Sequence, residues 1–344
     1  MRIGILTGGG DCPGLNTVIR GLVLAGAKRY GYEFTGFLDG WRGVVENLTR
    51  PLIVEDVRDK VALGGTILGT SRTNPLNDPA MVAQIKANLT ANHIDVLAAI
   101  GGDDTLGVAS KLAGMGLSII GIPKTIDNDL SATDTTFGFD TAITIATEAV
   151  DRLHTTARSH HRVLVVEVMG RHAGWIALYA GIAGGADYTM LPEKPTALAD
   201  LCAAVQREYG PGRKNYALVV VSEGAELLQQ EGHTTQDESS DDFGNIRLGG
   251  IGHRVAAAIE ETTGLETRDV VLGHLQRGGV PSPADRVLST RYGVFAARMI
   301  HEGQFGQMAA LQGGRIIAVP LAEATGKTKI VGEDWISTLE ILNA

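Results

Sequence analysis

Ile94-Asp95-Val96-Leu97-Ala98-Ala99-Ile100-Gly101-Gly102-Asp103-Asp104-Thr105 joins a mostly apolar run to a turn rich in glycine and acid. An apolar run that does not alternate fits a strand covered on both faces, as in a parallel sheet. The same succession recurs along the chain. Ile3–Leu6 is followed by Gly8–Asn16, Leu117–Ile122 by Pro123–Asp129, and Ala217–Val221 by Ser222–Gly224. Val163–Met169 leads into Met169–Gly174, and Val270–Leu272 into a glycine-flanked stretch ending at Gly279. Helix-like stretches separate these runs, among them Asn16–Arg29, Pro79–Asn88 and Thr141–Leu153. This alternation predicts a doubly wound α/β fold with mainly parallel sheets. Ligands in such sheets bind beyond the carboxyl ends of the strands. The glycine- and acid-rich motifs all fall there, so they predict one large cleft at the rims of two sheets.

Length and composition agree with that frame. A chain of 344 residues is long enough for two domains, and 44% hydrophobic with 20% charged residues is ordinary for a globular protein. The 45 glycines are nearly twice the usual share of about 7%, and they cluster after the apolar runs. A net charge of -9 argues against a nucleic-acid or anionic-membrane surface. Cys12 and Cys202, the two cysteines, cannot build a disulfide framework or a cysteine zinc site, and they read as reduced structural thiols. No signal-peptide pattern is visible, and no apolar stretch approaches the roughly 18 residues of a membrane span. The expected location is cytoplasmic. Glu226–Arg247 is polar and acidic and is expected to be a surface insertion or mobile loop.

The motifs point to phosphate chemistry. Gly8-Gly9-Gly10-Asp11-Cys12-Pro13-Gly14-Leu15-Asn16 reads either as a turn or as a phosphate cradle, since glycines let backbone approach a phosphate closely. It is neither the dinucleotide fingerprint nor a Walker loop. Gly101-Gly102-Asp103 offers backbone N–H groups beside a carboxylate suited to Mg²⁺. In Pro123-Lys124-Thr125-Ile126-Asp127-Asn128-Asp129, two carboxylates flank an amide, and a positioned carboxylate suits the proton of a hydroxyl nucleophile. Arg162, Arg171, Arg268 and Arg277 stand beside strand ends in an acidic protein, and arginine matches phosphate in bidentate fashion. His160, His161 and His172 lack metal-ligand spacing and read as structural.

With these motifs in this order, the chain resembles the phosphofructokinases. Gly8–Asn16, Gly-Thr-Ser-Arg at 69–72, Gly101–Thr105, Pro123–Asp129, Met169–Arg171 and Leu272–Gly279 follow the family's order over roughly 1–320. The resemblance implies two similar doubly wound domains with the active site between them. A donor domain is expected over 1–138 plus about 251–301, and a sugar-phosphate domain over 139–250 plus about 302–344. It also implies a homodimer or homotetramer and Mg²⁺ as cofactor, while the charge and the lack of a membrane span predict no nucleic-acid or membrane partner. Asp127 is expected to take the proton of the 1-hydroxyl of fructose 6-phosphate, with Thr125 and Asp129 beside it. Asp103 is expected to hold the metal and Gly10 to line the donor phosphates. Arg72 and Arg171 would stabilise the transferring phosphoryl group. Met169, Gly170, Glu223, His274 and Arg277 match the sugar-phosphate site, while Arg162 and Arg268 match residues that reach the 6-phosphate from a neighbouring subunit.

The donor turns on Asp104 and Lys124. ATP users of the family typically carry glycine at the place of Asp104; pyrophosphate users typically carry aspartate there and lysine at the place of Lys124. A carboxylate there would meet the α-phosphate of ATP, which pyrophosphate lacks. Lysine also occurs in some ATP users, so Asp104 carries the distinction. The expected activity is reversible phosphoryl transfer from pyrophosphate, giving fructose 1,6-bisphosphate and phosphate. Alternatives are an ATP-dependent 6-phosphofructokinase and an inactive sugar-phosphate-binding subunit. Leu24 and His154 stand where effector-binding arginines are expected beside Arg20, so effector response is expected to be weak.

Overall fold

The computed structural model describes residues 1–228, 235–240 and 246–343. Its first part builds a sheet from β1 (Arg2–Thr7), β2 (Glu33–Phe37), β3 (Thr49–Leu52), β4 (Val96–Gly101), β5 (Ile119–Thr125) and β6 (Phe137–Gly138). Next come β7 (Val163–Val168), β8 (Tyr188–Met190), β9 (Thr196–Ala197), β10 (Ala217–Ser222) and β11 (Leu227–Leu228). They are followed by β12 (Thr235–Ser240), β13 (Ile246–Leu248), β14 (Thr267–Val271), β15 (Gln307–Gln312) and β16 (Arg315–Pro320).

The large sheet has the order β16-β15-β5-β4-β1-β2-β3, with β6 paired to β5. Its inner pairs, β2 on β1, β1 on β4 and β4 on β5, are parallel. The two outermost strands, β3 and β16, run antiparallel to their neighbours. The second sheet, β14-β7-β10-β8, is parallel throughout. Every residue of β4, β5, β7 and β10 is buried, as expected for their apolar stretches, and the burial extends to polar Lys124, Thr125, Glu167 and Ser222. In the large sheet the chain leaves β1 toward β2 on one side and returns to β4 on the other. The carboxyl ends of β1 and β4 therefore flank a switch point, where the crevice of a doubly wound sheet opens.

Pro123, Lys124 and Thr125 belong to β5 rather than to the loop after Ile122. Pro123 sits near the strand's end, opposite Gly101, where a missing donor is tolerated. One apolar cluster runs from Ile5 and Ile122 through Phe139, Ala142 and Tyr292 to Val166 and Leu218, so it fixes the two sheets against each other.

The domain boundaries need correction in their C-terminal pieces. The helix Ile251–Thr263 packs Val255 and Ile259 with Val165 and Val219, and β14 pairs with β7, so residues 251–271 complete the second sheet. Conversely β15 pairs with β5, so 307–320 belong to the first. A strand belongs where its ladder is satisfied, and its buried backbone groups have nowhere else to bond. Of the acidic segment, residues 229–234 and 241–245 lie outside the described residues, Glu231, Asp241 and Asp242 among them. The backbones of β12 and β13 pair antiparallel. No described helix is long and apolar enough to cross a membrane.

Candidate active site

The first wall of the cleft is a set of loops pressed together at the switch point. After β1, Gly9 N donates to Ser71 O at 3.3 Å and Thr70 Oγ1 donates to Gly9 O at 2.5 Å, which binds the loop holding exposed Arg72 to the triple glycine. Thr105 is buried as a wedge between two glycines. A Cβ on Gly8 would lie 2.6 Å from its Oγ1, and one on Gly101 2.3 Å from its Cβ. The threonine of the Gly-Gly-Asp-x-Thr element thus acts in packing, a role its sequence context does not reveal. Asp103 and Asp104 open the helix Asp103–Gly114 and are exposed. Asp103 Oδ1 accepts from Gly326 N at 3.0 Å.

Lys124 lies beneath the triple glycine. It is 3% exposed and donates from Nζ to Gly10 O at 2.5 Å. Burial holds its pKa below the usual lysine value. The neighbouring Cys12 thiol is pushed up to about 12 by burial, so it stays protonated and inert. Among the described residues the chain forms no disulfide, and both cysteines are buried and free.

Past β5, Asp127 N donates to Thr125 Oγ1 at 3.0 Å, and Asn128 adopts a left-handed φ of 53°. Asp127 Oδ1 is buried and has no hydrogen-bond partner among the described residues. Such an atom is costly to keep and asks for a ligand. Asp129 is pushed up to about 7, chiefly by burial and then by the charges of Asp127 and Asp103. Asp103, Asp127 and Asp129 thus share one electrostatic neighbourhood.

The facing wall comes from the second sheet. Met169 N donates to Oε1 of fully buried Gln276 at 3.3 Å, and Gly170 N to Glu223 Oε1 at 3.4 Å. Gly170 has a φ of 132°, and Ser222 Oγ donates to its carbonyl at 2.6 Å. Exposed His274 and half-buried Arg277 stand on the short helical turn Gly273–Arg277. Arg277 Nη1 reaches Asp11 O at 3.4 Å and would lie 2.7 Å from a Cβ on Gly10. The guanidinium thus joins the two walls. Gly10→Ala is expected to displace it and lower kcat/KM by about 100-fold, the scale of an ångström's misplacement. Steady-state kinetics with a melting curve that stays near wild type checks this.

Glu223 is pushed up to about 7, first by burial and then by the charge of Asp127, against the pull of Gly170 N–H, Arg171 and Arg277. Burial also lowers His172, with Arg171 adding to the effect. A carboxyl raised from 4.5 on folding holds its proton more tightly in the folded state. Its contribution to stability is full below 4.5 and is lost as pH rises through about 7. Melting of the free protein should fall across that window, and Glu223→Gln should flatten the slope.

Arg162 and Arg268 are not brought to this cleft. They stand at the amino ends of β7 and β14, the opposite edge of the sheet, both paired with Glu266 at 3.0 and 2.9 Å. Arg20 Nε donates to Arg58 O at 3.0 Å, and His154 Nε2 bonds Gly184 O at 2.7 Å. Gln276 and Lys329 are near the site but were not expected there. Gln276 falls inside the Leu272–Gly279 motif; Lys329 lies in a tail with no glycine-rich signal.

Residues 2–300 match the family described as phosphofructokinase. The chain is 55% identical over 334 residues to the pyrophosphate–fructose 6-phosphate 1-phosphotransferase of Streptomyces coelicolor, covering 96% of each chain. It is 49% identical over 340 residues to the ATP-dependent 6-phosphofructokinase of Corynebacterium efficiens, covering 98% of this chain and 97% of that one. Among solved structures, Pichia pastoris phosphofructokinase in the T-state matches with a TM-score of 0.82 at 32% identity. That match covers 99% of this chain and 36% of the longer Pichia chain. With the ordered motifs converging on one cleft, the chain belongs to the phosphofructokinase family.

Proposed function

We propose that the protein is a Mg²⁺-dependent phosphotransferase that moves a phosphoryl group reversibly from pyrophosphate to the 1-hydroxyl of fructose 6-phosphate. The buried Asp127 Oδ1, without a partner among the described residues and between the triple-glycine wall and the Gly170–Glu223 wall, is the observation that carries this reading. In the forward direction the hydroxyl proton passes to Asp127 as the sugar oxygen attacks the terminal phosphorus. The bridging P–O bond breaks and phosphate leaves; the product is fructose 1,6-bisphosphate. Thr125 and Asp129 hold the loop and its charge, while Arg72 and Arg171 stabilise the transferring group. Met169, Gly170, Glu223, His274 and Arg277 bind the sugar phosphate.

The donor set suits Mg²⁺. No group of three or more histidine, cysteine or acidic side chains among the described residues would hold a metal alone. Mg²⁺ is ordinarily held by one or two carboxylates together with substrate phosphates and water. Asp103, beside the raised Asp129, would hold it, and bound Mg²⁺ would neutralise charge on the donor oxygens. Lys124 and Gly10 would line the donor.

Overall likeness favours pyrophosphate, at 55% identity against 49% for the ATP-dependent relative. Asp104 favours pyrophosphate; the ATP-dependent activity is the second reading. Arg162 and Arg268, far from their own cleft, would complete the 6-phosphate pocket of a neighbouring copy in a homodimer or homotetramer. The reading carries a cytoplasmic location, with no nucleic-acid or membrane partner. Formation of fructose 1,6-bisphosphate with pyrophosphate or ATP as sole donor tests it. Turnover with pyrophosphate alone supports the reading. Turnover with ATP alone keeps the transfer and overturns the donor, and none with either donor overturns the whole.

A further inference from the structure

The segment Gly326–Val331 lies across the loop that carries Asp127. Lys329 N donates to Asp129 O at 2.7 Å, and Leu130 and Thr328 form an antiparallel bridge. On its other side the segment is held by the second wall. Trp175 Nε1 donates to Lys329 O at 2.8 Å, and Val331 N donates to Glu193 Oε1 at 2.9 Å. Glu193 also accepts from Gly174 N at 2.9 Å, just past Arg171.

The Lys329 side chain turns inward. Its Nζ donates to Asn128 Oδ1 at 2.9 Å and to the carbonyls of Thr133 and Asp134 at 3.0 Å each. An ammonium has three N–H donors, so each one finds an acceptor, all within the stretch that follows Asp127. Asn128 Oδ1 also accepts from Thr136 N at 3.2 Å. The amide that separates the two carboxylates is thereby clamped while its backbone is left-handed, a region asparagine enters more readily than most residues.

We propose that Lys329 is a positioning residue for Asp127. Acting through Asn128, its ammonium fixes the turn that keeps Asp127 Oδ1 free of protein partners and available to the substrate hydroxyl. A merely stabilising tether would change melting and leave the chemical step alone. The positioning role predicts a loss in kcat with little change in KM, because the sugar contacts assigned above come from the opposite wall. This rests on the reading of Asp127 as the base.

The test is a double-mutant cycle on the full chain, assayed with whichever donor the wild type uses. Lys329→Met keeps the length of the side chain and removes every donor; Asn128→Gly permits the left-handed turn and removes the anchor. Each is expected to lower kcat by roughly 30- to 100-fold, the cost of a small misplacement. KM for fructose 6-phosphate should stay within about threefold. The double variant should be no worse than the weaker single one by more than about threefold, because both changes cut one linkage. Single variants with wild-type kcat overturn the proposal, and so do losses that multiply in the double variant. If Lys329→Met does not fold, Asn128→Gly decides alone: a selective kcat loss supports the role and an unchanged kcat overturns it. An active Asp127→Asn enzyme would instead remove the underlying reading, so the two failures are distinguishable.

Discussion

Asp127→Asn is expected to lower kcat by about 10³- to 10⁴-fold, the upper range for a positioned general base, while the folded protein becomes more stable. The two effects have one cause. Asp127 is half-buried, its buried Oδ1 has no hydrogen-bond partner among the described residues, and its charge helps to raise both Asp129 and Glu223. An amide of the same shape removes that charge, so both neighbours should titrate lower and the melting temperature should rise. It cannot accept the proton of the sugar hydroxyl, so the chemical step loses its base. Substrate binding rests on other groups and should change far less. Steady-state kinetics and thermal melts of the same preparations check the pair of effects. A kcat within tenfold of wild type in a folded variant would move the base elsewhere, with Asp129 the next group to replace.

Opposite signs of activity and stability are what a loop with this charge arrangement is expected to give. Like charges in a buried neighbourhood are unfavourable without a ligand, and strain of this kind is found where function requires it. The surrounding structure holds the loop in place: Thr125 Oγ1 receives the Asp127 amide, Thr136 N and Lys329 Nζ bind Asn128, and Asp129 O accepts from the returning tail.

The central strands were legible because burial on both faces leaves one sign, an unbroken apolar run. The cleft was legible for a related reason: a glycine or acid directly after such a run marks a carboxyl end in a parallel sheet. The edge of the large sheet carried a different sign. Gln312 and Arg315 pair across Gly313 and Gly314, whose φ of 54° and 80° suit a two-residue hairpin. That Gly-Gly signal stands in the sequence, and reading it would have joined β15 to β16. It would not have said which sheet the hairpin enters, because the pairing of β15 with β5 spans almost two hundred residues. Lys329 shows the remaining limit. A single lysine in a polar tail reads as a solvated surface residue. Its role depends on acceptors at Asn128, Thr133 and Asp134 that only the folded chain assembles.

Asp104→Gly is expected to raise kcat/KM for ATP by as much as three decades. Two like charges about 4 Å apart cost on the order of 4 kcal/mol at an effective dielectric near 20, and each 1.4 kcal/mol is about a factor of ten. Asp104 is exposed in the first turn of the helix Asp103–Gly114, so removing its carboxylate frees both charge and space without opening a core cavity. A stability penalty is also expected. Glycine inside a helix costs about 1 kcal/mol, and an acidic group near a helix N-terminus contributes roughly 0.3–1 kcal/mol. The variant should therefore melt a few degrees lower. Asp104→Asn separates the two contributions, since it removes the charge and keeps nearly all the volume. If charge excludes ATP, asparagine should recover much of the gain made by glycine; if volume does, only glycine should. Pyrophosphate turnover should change less in both, because Lys124 and the triple-glycine loop are untouched. A folded Asp104→Gly protein that gains no ATP activity would mean that the α-phosphate never approaches this carboxylate. Donor choice would then have to lie in contacts to the nucleoside, which a substitution at position 104 does not supply.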